Sequence, residues 1–235
     1  MKDKVVLITG GSQGYGKATA RLFAEHGAKA VIAARSEDAL KAAGKETGCD
    51  AFFQMDVTKP KDWCNARKFM LERYGRIDVL INNAGGAVSV TGIEKHTLPD
   101  IEAIIALNLL SAIYGANAFA GVMKAQNSGT IVNVASACAK HAWPGWSVYA
   151  AAKWGVLGFS KNLYVDLQPY NIRVTCIVPG AGATDFMRHA GGKNIDAKLQ
   201  APDVAQAMLY VCSLPPHVVV EELILWGNDQ VVVPL

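Results

Sequence analysis

A serine, a tyrosine and a lysine define the chemistry this chain could perform. Tyr149 and Lys153 are four residues apart, so on a helix they project from one face. A phenol beside a fixed ammonium is an acid–base group, because the positive charge favours phenolate and lowers the pKa from about 10. Ser136 adds a hydroxyl that can hold a carbonyl oxygen. Together they outline a site in which a carbonyl oxygen is held and protonated while hydride reaches its carbon. A Tyr-x-x-x-Lys pair alone arises by chance in about one chain in two of this composition. Its conjunction with a nucleotide loop is what counts.

That loop follows the first apolar run, as Thr9-Gly10-Gly11-Ser12-Gln13-Gly14-Tyr15-Gly16. Glycines let the backbone approach a pyrophosphate, and a following helix offers amide donors and the positive end of its dipole. The spacing is Gly-x-x-x-Gly-x-Gly rather than the Gly-x-Gly-x-x-Gly of larger dehydrogenases. Cofactor choice falls at the end of the second strand, Ala33-Ala34-Arg35-Ser36. An NAD site places a carboxylate there for the ribose 2′-hydroxyl. Arg35 instead suits a 2′-phosphate, with Ser36 as a second donor, so NADP is favoured over NAD.

The elements that must position these residues are legible in the pattern. Apolar, β-branched runs at Val5–Thr9, Ala30–Ala34, Ala51–Met55, Val79–Asn83, Thr130–Ser136, Arg173–Pro179 and Glu222–Trp226 read as strands. Helical patterns separate them: Tyr15–His26, Glu37–Lys45, Lys61–Tyr74, Ile101–Gln126, Val148–Leu167 and Asp203–Cys212. Ser36 is placed to cap the second helix, and Pro202 to begin the last. The alternation predicts right-handed crossovers and an α/β fold: a doubly wound, Rossmann-like parallel sheet of about seven strands in three α/β/α layers. The 235 residues are expected to form a single domain, 1–235. Ligands of such sheets bind at the carboxyl ends of the strands, where the candidate residues fall.

Composition narrows the class. Hydrophobic residues at 51% exclude a disordered chain, and a net charge of +3 without a basic stripe points away from nucleic acid. The five cysteines show neither metal-ligand spacing nor an even disulfide framework, so no metal is expected and the thiols read as reduced and cytoplasmic. The first apolar run is too short for a signal peptide. Ala103 to Met123 carries no charge and could span a bilayer by length. Asn108, Ser111 and Asn117 within it favour a helix buried in a core or subunit interface instead, with no membrane partner.

With these motifs in place the chain resembles a short-chain dehydrogenase/reductase of the compact, single-domain kind. The resemblance spans the glycine loop, Asp56-Val57, Asn82-Asn83-Ala84-Gly85, Asn108, Ser136, Tyr149-x-x-x-Lys153 and Pro179-Gly180-Ala181-Gly182-Ala183-Thr184. It implies an enzyme interconverting a carbonyl compound and an alcohol by hydride transfer, with Asn108, Ser136, Tyr149 and Lys153 as the catalytic set. Tyr149 would be the general acid/base, and Asn108 would hold a water relaying protons to Lys153. The cofactor would rest on Gly10, Ser12, Gln13, Gly14, Tyr15, Gly16, Arg35 and Ser36. Asp56 and Val57 would meet the adenine, and Asn83, Ala84 and Gly85 would line the cofactor at the fourth strand. Pro179, Gly180 and Thr184 would meet the carboxamide end, and Tyr149 and Lys153 the ribose.

Several questions stay open at this level. An NAD-dependent alcohol dehydrogenase of the same family, or a non-catalytic NADP-sensing scaffold, are the alternatives. The ending Glu222-Leu-Ile-Leu-Trp226, followed by Val231-Val-Val-Pro-Leu235, departs from the Asp-Gly-Gly common in the family and resembles the branch whose reductases interconvert small 3-hydroxy acids and related carbonyl compounds. His141, Trp143 and Trp146 either line the substrate pocket or pack inside. Residues 185–200, with Gly191-Gly192 within, read as a substrate lid. Arg188 or Lys193 there could meet an anionic substrate or stay solvated. The family implies a homodimer or homotetramer, for which the apolar helices Ile101–Gln126 and Val148–Leu167 would suit.

Overall fold

Successive residues of a strand face opposite ways, and the first strand uses both faces. The computed structural model describes residues 1–86, 89–186 and 196–230. In it β1 (Val5–Thr9) sends Val5 and Leu7 into one core and Val6 and Ile8 into another. A strand buried on both sides must lie inside a sheet covered by helices.

The other strands are β2 (Lys29–Ala34), β3 (Ala51–Gln54), β4 (Val79–Asn82), β5 (Gly129–Val134), β6 (Ile172–Pro179) and β7 (Glu222–Leu225). They form one parallel seven-stranded sheet in the order β3-β2-β1-β4-β5-β6-β7. The order reverses between β1 and β4, which opens a crevice at their carboxyl ends. One face is covered by α1 (Gly14–Glu25), α2 (Glu37–Thr47) and α7 (Ala201–Ser213), around Phe23, Leu40 and Met208. The other carries α3 (Pro60–Tyr74), α4 (Leu98–Ile105), α5 (Ser111–Gln126) and α6 (Ser147–Leu167), around Trp63, Phe119 and Met123. The doubly wound three-layer fold expected from the alternation is the one observed.

Local chemistry sets the boundaries. Ser36 caps α2 by accepting from the Ala39 amide, and Gly48 and Gly75 end α2 and α3 in the left-handed conformation. Pro202 lies one residue inside α7, which begins at Ala201 behind a Gln200–Asp203 capping box. The helix expected over Ile101–Gln126 begins earlier, at Leu98, where Thr97 and Asp100 form a capping box. It is also interrupted: Ala106–Leu110 is a π-helical turn between α4 and α5. The run Leu98–Gln126 has the length and hydropathy of a membrane span. It nevertheless lies on the sheet and buries Ala112, Ala116, Phe119 and Met123.

At the opposite end of the sheet, Asp78 joins the two strands that flank the crevice. Its carboxylate accepts from the Val5 amide at 2.9 Å, from Lys4 at 3.1 Å and from Arg76 at 2.6 Å. Burial opposes ionisation, but these donors outweigh it and hold the carboxyl below its ordinary pKa. The charged form therefore stabilises the fold above the unfolded pKa near 4, and the contribution fades as pH falls through the lower folded value. Asp78→Asn is expected to lose about 2 kcal/mol in urea denaturation at pH 7. That deficit should shrink toward pH 3; a deficit independent of pH would show that the charge does not matter.

Candidate active site

The carboxyl ends of β1 and β4 are organised by one hydroxyl. Thr9 Oγ1 accepts from the amides of Asn83 (3.1 Å) and Ala84 (3.0 Å) and faces the Ile81 carbonyl at 3.3 Å. Asn83 returns the contact, donating its side-chain amide to the Thr9 carbonyl at 2.8 Å. Asn83 thus shapes the glycine loop as well as lying where the resemblance implied a cofactor contact.

The loop leaves a cradle that matches a nucleotide. Gly14 sits at φ +51°, and a Cβ on Gly16 would overlap the Gly10 carbonyl and the Asn83 amide. The first turn of α1 has no acidic residue and its N-cap, Gln13, makes no side-chain capping bond. Amides that a side chain would ordinarily satisfy are left to an anion. At the end of β2, Arg35 is exposed, while its carbonyl accepts from Gln54 at 2.9 Å. Ser36 Oγ accepts from Ala39 but keeps its own proton to donate. Asp56 Oδ1 is engaged by the amide and hydroxyl of Thr58, at 2.9 and 2.8 Å, with buried Val57 beside it. These groups fit a nicotinamide dinucleotide.

Across the crevice, β5 ends and Ser136 caps the short 3-10 turn Ala137–Ala139, accepting from the Cys138 amide at 3.2 Å. Tyr149 and Lys153 project from the first turns of α6, as their spacing predicts, and are 6% and 3% exposed. Ser136 stands close enough to the Tyr149 phenol to lower its pKa, and Lys153 Nζ lies 5.6 Å from the Tyr149 ring centre. Lys153 donates to the Val134 carbonyl at 2.9 Å. Asn108, in the π turn, exchanges two hydrogen bonds with Gly86 (3.0 and 2.9 Å) and donates to the Ile104 carbonyl. Its Oδ1 and Lys153 Nζ both border Gly85, at 3.0 and 3.3 Å from where a Cβ would stand. The four predicted residues therefore converge.

Electrostatics depart from expectation at one point. The sequence suggests that Lys153 lowers the Tyr149 pKa. In the folded protein, burial pushes the phenol up instead, reinforced by Cys138 and only partly opposed by Ser136. The same burial lowers Lys153 to about 8. Desolvation outweighs attraction because it disfavours both charges at once.

The turn after β6 closes the far side. Pro179 ends the strand, the Gly180 amide donates to Leu225 at 2.7 Å, and Thr184 Oγ1 meets the Phe186 amide at 3.4 Å. Tyr15, from the glycine loop, places its hydroxyl against Gly182, and burial pushes that phenol up to about 12. Sequence patterns did not single out Thr9, Cys138 or Trp226 as site residues. A threonine entering the glycine loop was the available signal for the first; the other two offered none. Of the expected lid, Met187 to Ile195, including Arg188, Gly191, Gly192 and Lys193, lies outside the described residues.

Comparison with known proteins agrees with this geometry. A profile described as short chain dehydrogenase matches residues 4–194. An uncharacterized oxidoreductase of Staphylococcus saprophyticus is 34% identical, with 98% of each chain covered. Tropinone reductase-like 1 of Erythroxylum coca is 39% identical over 91% of this chain and 85% of its own. Among solved structures, the closed form of serine dehydrogenase complexed with NADP+ superimposes with a TM-score of 0.91 at 30% identity, covering 98% of both chains.

Burial of Lys153 has a measurable sign. Its folded pKa near 8 lies below the ordinary 10.5, so its ammonium destabilises the fold fully below pH 8. Between about 8 and 10.5 the unfolded chain holds the extra proton, and stability rises with pH. Lys153→Met is expected to exceed the parent protein in stability by more than about 1 kcal/mol at pH 7. Denaturant titrations should show that advantage narrowing up to pH 10.5. A variant less stable at every pH would contradict the assignment.

Proposed function

The chain belongs to the short-chain dehydrogenase family, and within it we propose an enzyme that interconverts a ketone or aldehyde with its alcohol and prefers NADP to NAD. At the coarser level the relatives make it an NAD(P)-dependent oxidoreductase acting on CH–OH groups. The observation that carries the finer reading is the buried Ser136–Tyr149–Lys153 constellation beside the nucleotide cradle. When bound, the nicotinamide supplies or accepts the hydride.

The chain's own residues do the rest. Ser136 and Tyr149 present hydroxyls to the carbonyl oxygen and stabilise charge as it develops there. Burial keeps the Tyr149 phenol protonated, the form that donates during reduction, and in oxidation the same oxygen receives the alcohol proton. Lys153 stands ready to return a proton, because burial brings its pKa close to neutrality. The Asn108 side chain is committed to Gly86 and Ile104. A water linked to Lys153 would therefore be held by the main chain of the π turn, where the wider winding displaces carbonyls from their usual partners.

Arg35 and Ser36 support NADP, as does the solved relative complexed with NADP+. The adenine would meet Asp56 and Val57, and the carboxamide Pro179, Gly180 and Thr184. A cytoplasmic homodimer or homotetramer completes the proposal. The five cysteines are free, and α6 exposes Trp154 and Val165 on its outer face.

Tyr149→Phe is expected to lose at least about a thousand-fold in kcat while cofactor affinity stays within a few fold. Steady-state rates and fluorescence titration with NADPH separate the two. An active phenylalanine variant would remove Tyr149 as the acid. Arg35→Asp is expected to weaken NADP binding at least ten-fold and to leave NAD within about three-fold. Equal losses for both nucleotides would exclude Arg35 as the phosphate ligand.

A further inference from the structure

Two of the chain's five tryptophans pack in the small core that holds the Tyr149 phenol, and a third lies one ring further out, against His141. Trp146 meets Tyr149 edge to face, with ring centres 5.3 Å apart and planes at 68°. Phe186 completes a triangle, 5.7 Å from Tyr149 and nearly parallel to Trp146 at 6.2 Å. Trp143 packs on the same small core, which includes Cys138 and Tyr149. His141 lies between Trp143 (6.1 Å) and Trp226 (5.6 Å). Trp226 in turn covers Gly180, where a Cβ would come within 2.7 Å of the indole. The segment carrying Trp143 and Trp146 is itself held, because the Thr91 amide donates to the Gly145 carbonyl at 3.1 Å.

Two features of this wall bear on what it recognises. His141, Trp143, Trp146, Phe186 and Trp226 are all only half-buried, although burial of such rings is strongly favourable. Rings already fixed by mutual edge contacts lose little freedom when an apolar ligand covers them. The polar groups at the base are the hydroxyls of Ser136 and Tyr149. The Cys138 thiol beside them is kept neutral, because burial raises its pKa. An aromatic wall above one pair of hydroxyls recognises a molecule with one oxygen on an apolar frame, broad enough to touch several rings.

We infer that the substrate is a hydrophobic cyclic ketone, or the matching ring-bearing secondary alcohol, and not a short hydroxy acid. The inference rests on the oxidoreductase reading above and specifies its substrate class. In the reductive direction the ring carbonyl carbon gains a hydride, two electrons with one hydrogen. Its oxygen gains the Tyr149 proton, and the reduced nicotinamide is oxidised.

The test has a kinetic and a binding arm. With NADPH, kcat/KM for cyclohexanone and 2-decalone is expected to exceed that for acetone and acetoacetate by about 30-fold or more, since each added methylene is worth about four-fold. Trp146→Leu should raise KM for 2-decalone about ten-fold, and by more than it changes KM for acetone. Turnover of acetone or acetoacetate equal to that of the ring ketones would overturn the substrate class while sustaining the enzyme. Failure to reduce any carbonyl with either nucleotide would instead remove the oxidoreductase reading. The binding arm needs no turnover: 2-decalone should quench tryptophan fluorescence saturably, with NADP+ present, and about ten-fold more weakly in Trp146→Leu. Absence of saturable quenching, or quenching unchanged by the substitution, would overturn the inference independently of any rate.

Discussion

Desolvation of Tyr149 and Lys153 is the constraint on which the site depends. Both lie on α6 where it faces the carboxyl end of β5, and both are nearly inaccessible to water. An isolated ammonium in such a place carries a heavy penalty unless it is hydrogen-bonded or neutral. Lys153 relieves part of it through the Val134 carbonyl and part through a pKa brought down to about 8. The same dryness keeps the phenol protonated. A bound nucleotide would add ribose hydroxyls and charge to this pocket, so the protonation balance belongs to the loaded site more than to the pair alone. Attraction between the two groups, which their spacing suggests, becomes a correction to burial.

The second requirement is that strands far apart in sequence end at the same height. Thr9 performs this at the switch point by receiving the Asn83 and Ala84 amides, while Asn83 anchors the Thr9 carbonyl. Asp78 performs it at the opposite end by holding the start of β1. Between them the β1–β4 pair is pinned at both ends, and the glycine loop leaves β1 at a fixed angle. Gly16 lets that loop close against Gly10 without a side chain in the way. Position, and not any one contact, gives the loop its nucleotide character.

Much of this was legible in the chain, for identifiable reasons. Strands buried on both faces, such as β1, β4 and β5, appear as short apolar runs, and the edge strands β3 and β7 as apolar runs between turn signals, so all seven were found with ends within two residues. Tyr149 and Lys153 were legible because helical spacing is local. The 3-10 turn that Ser136 caps was not, since three residues offer too short a pattern. The π turn at Asn108 was hidden because an extra residue in a helix is fixed by tertiary contacts, here with Gly86. The direction of the Tyr149 shift was misjudged because burial is not a property of spacing. Trp226 was read as the end of the last strand and not as a site residue, because its neighbours Gly180 and His141 come from other elements.

Local rules are broken along one edge of the sheet. There α1 begins without a side-chain cap, α4 gives way to a π turn, a lysine is buried, and three indoles remain half-exposed. Other parts of the chain follow ordinary rules: Ser36 and Thr97 cap their helices, Gly48 and Gly75 end theirs, Pro60 opens α3, and apolar side chains fill both cores. Stability alone gives no reason for four separate departures to meet at the carboxyl ends of β1, β4, β5 and β6. A ligand would, because under the proposed function each departure would offer it something different: bare amides for an anion, carbonyls of the π turn for water, a tuned ammonium for proton supply and open rings for an apolar body. The coincidence of these offers around a single phenol is a stronger argument for a reacting centre than any one motif in the sequence.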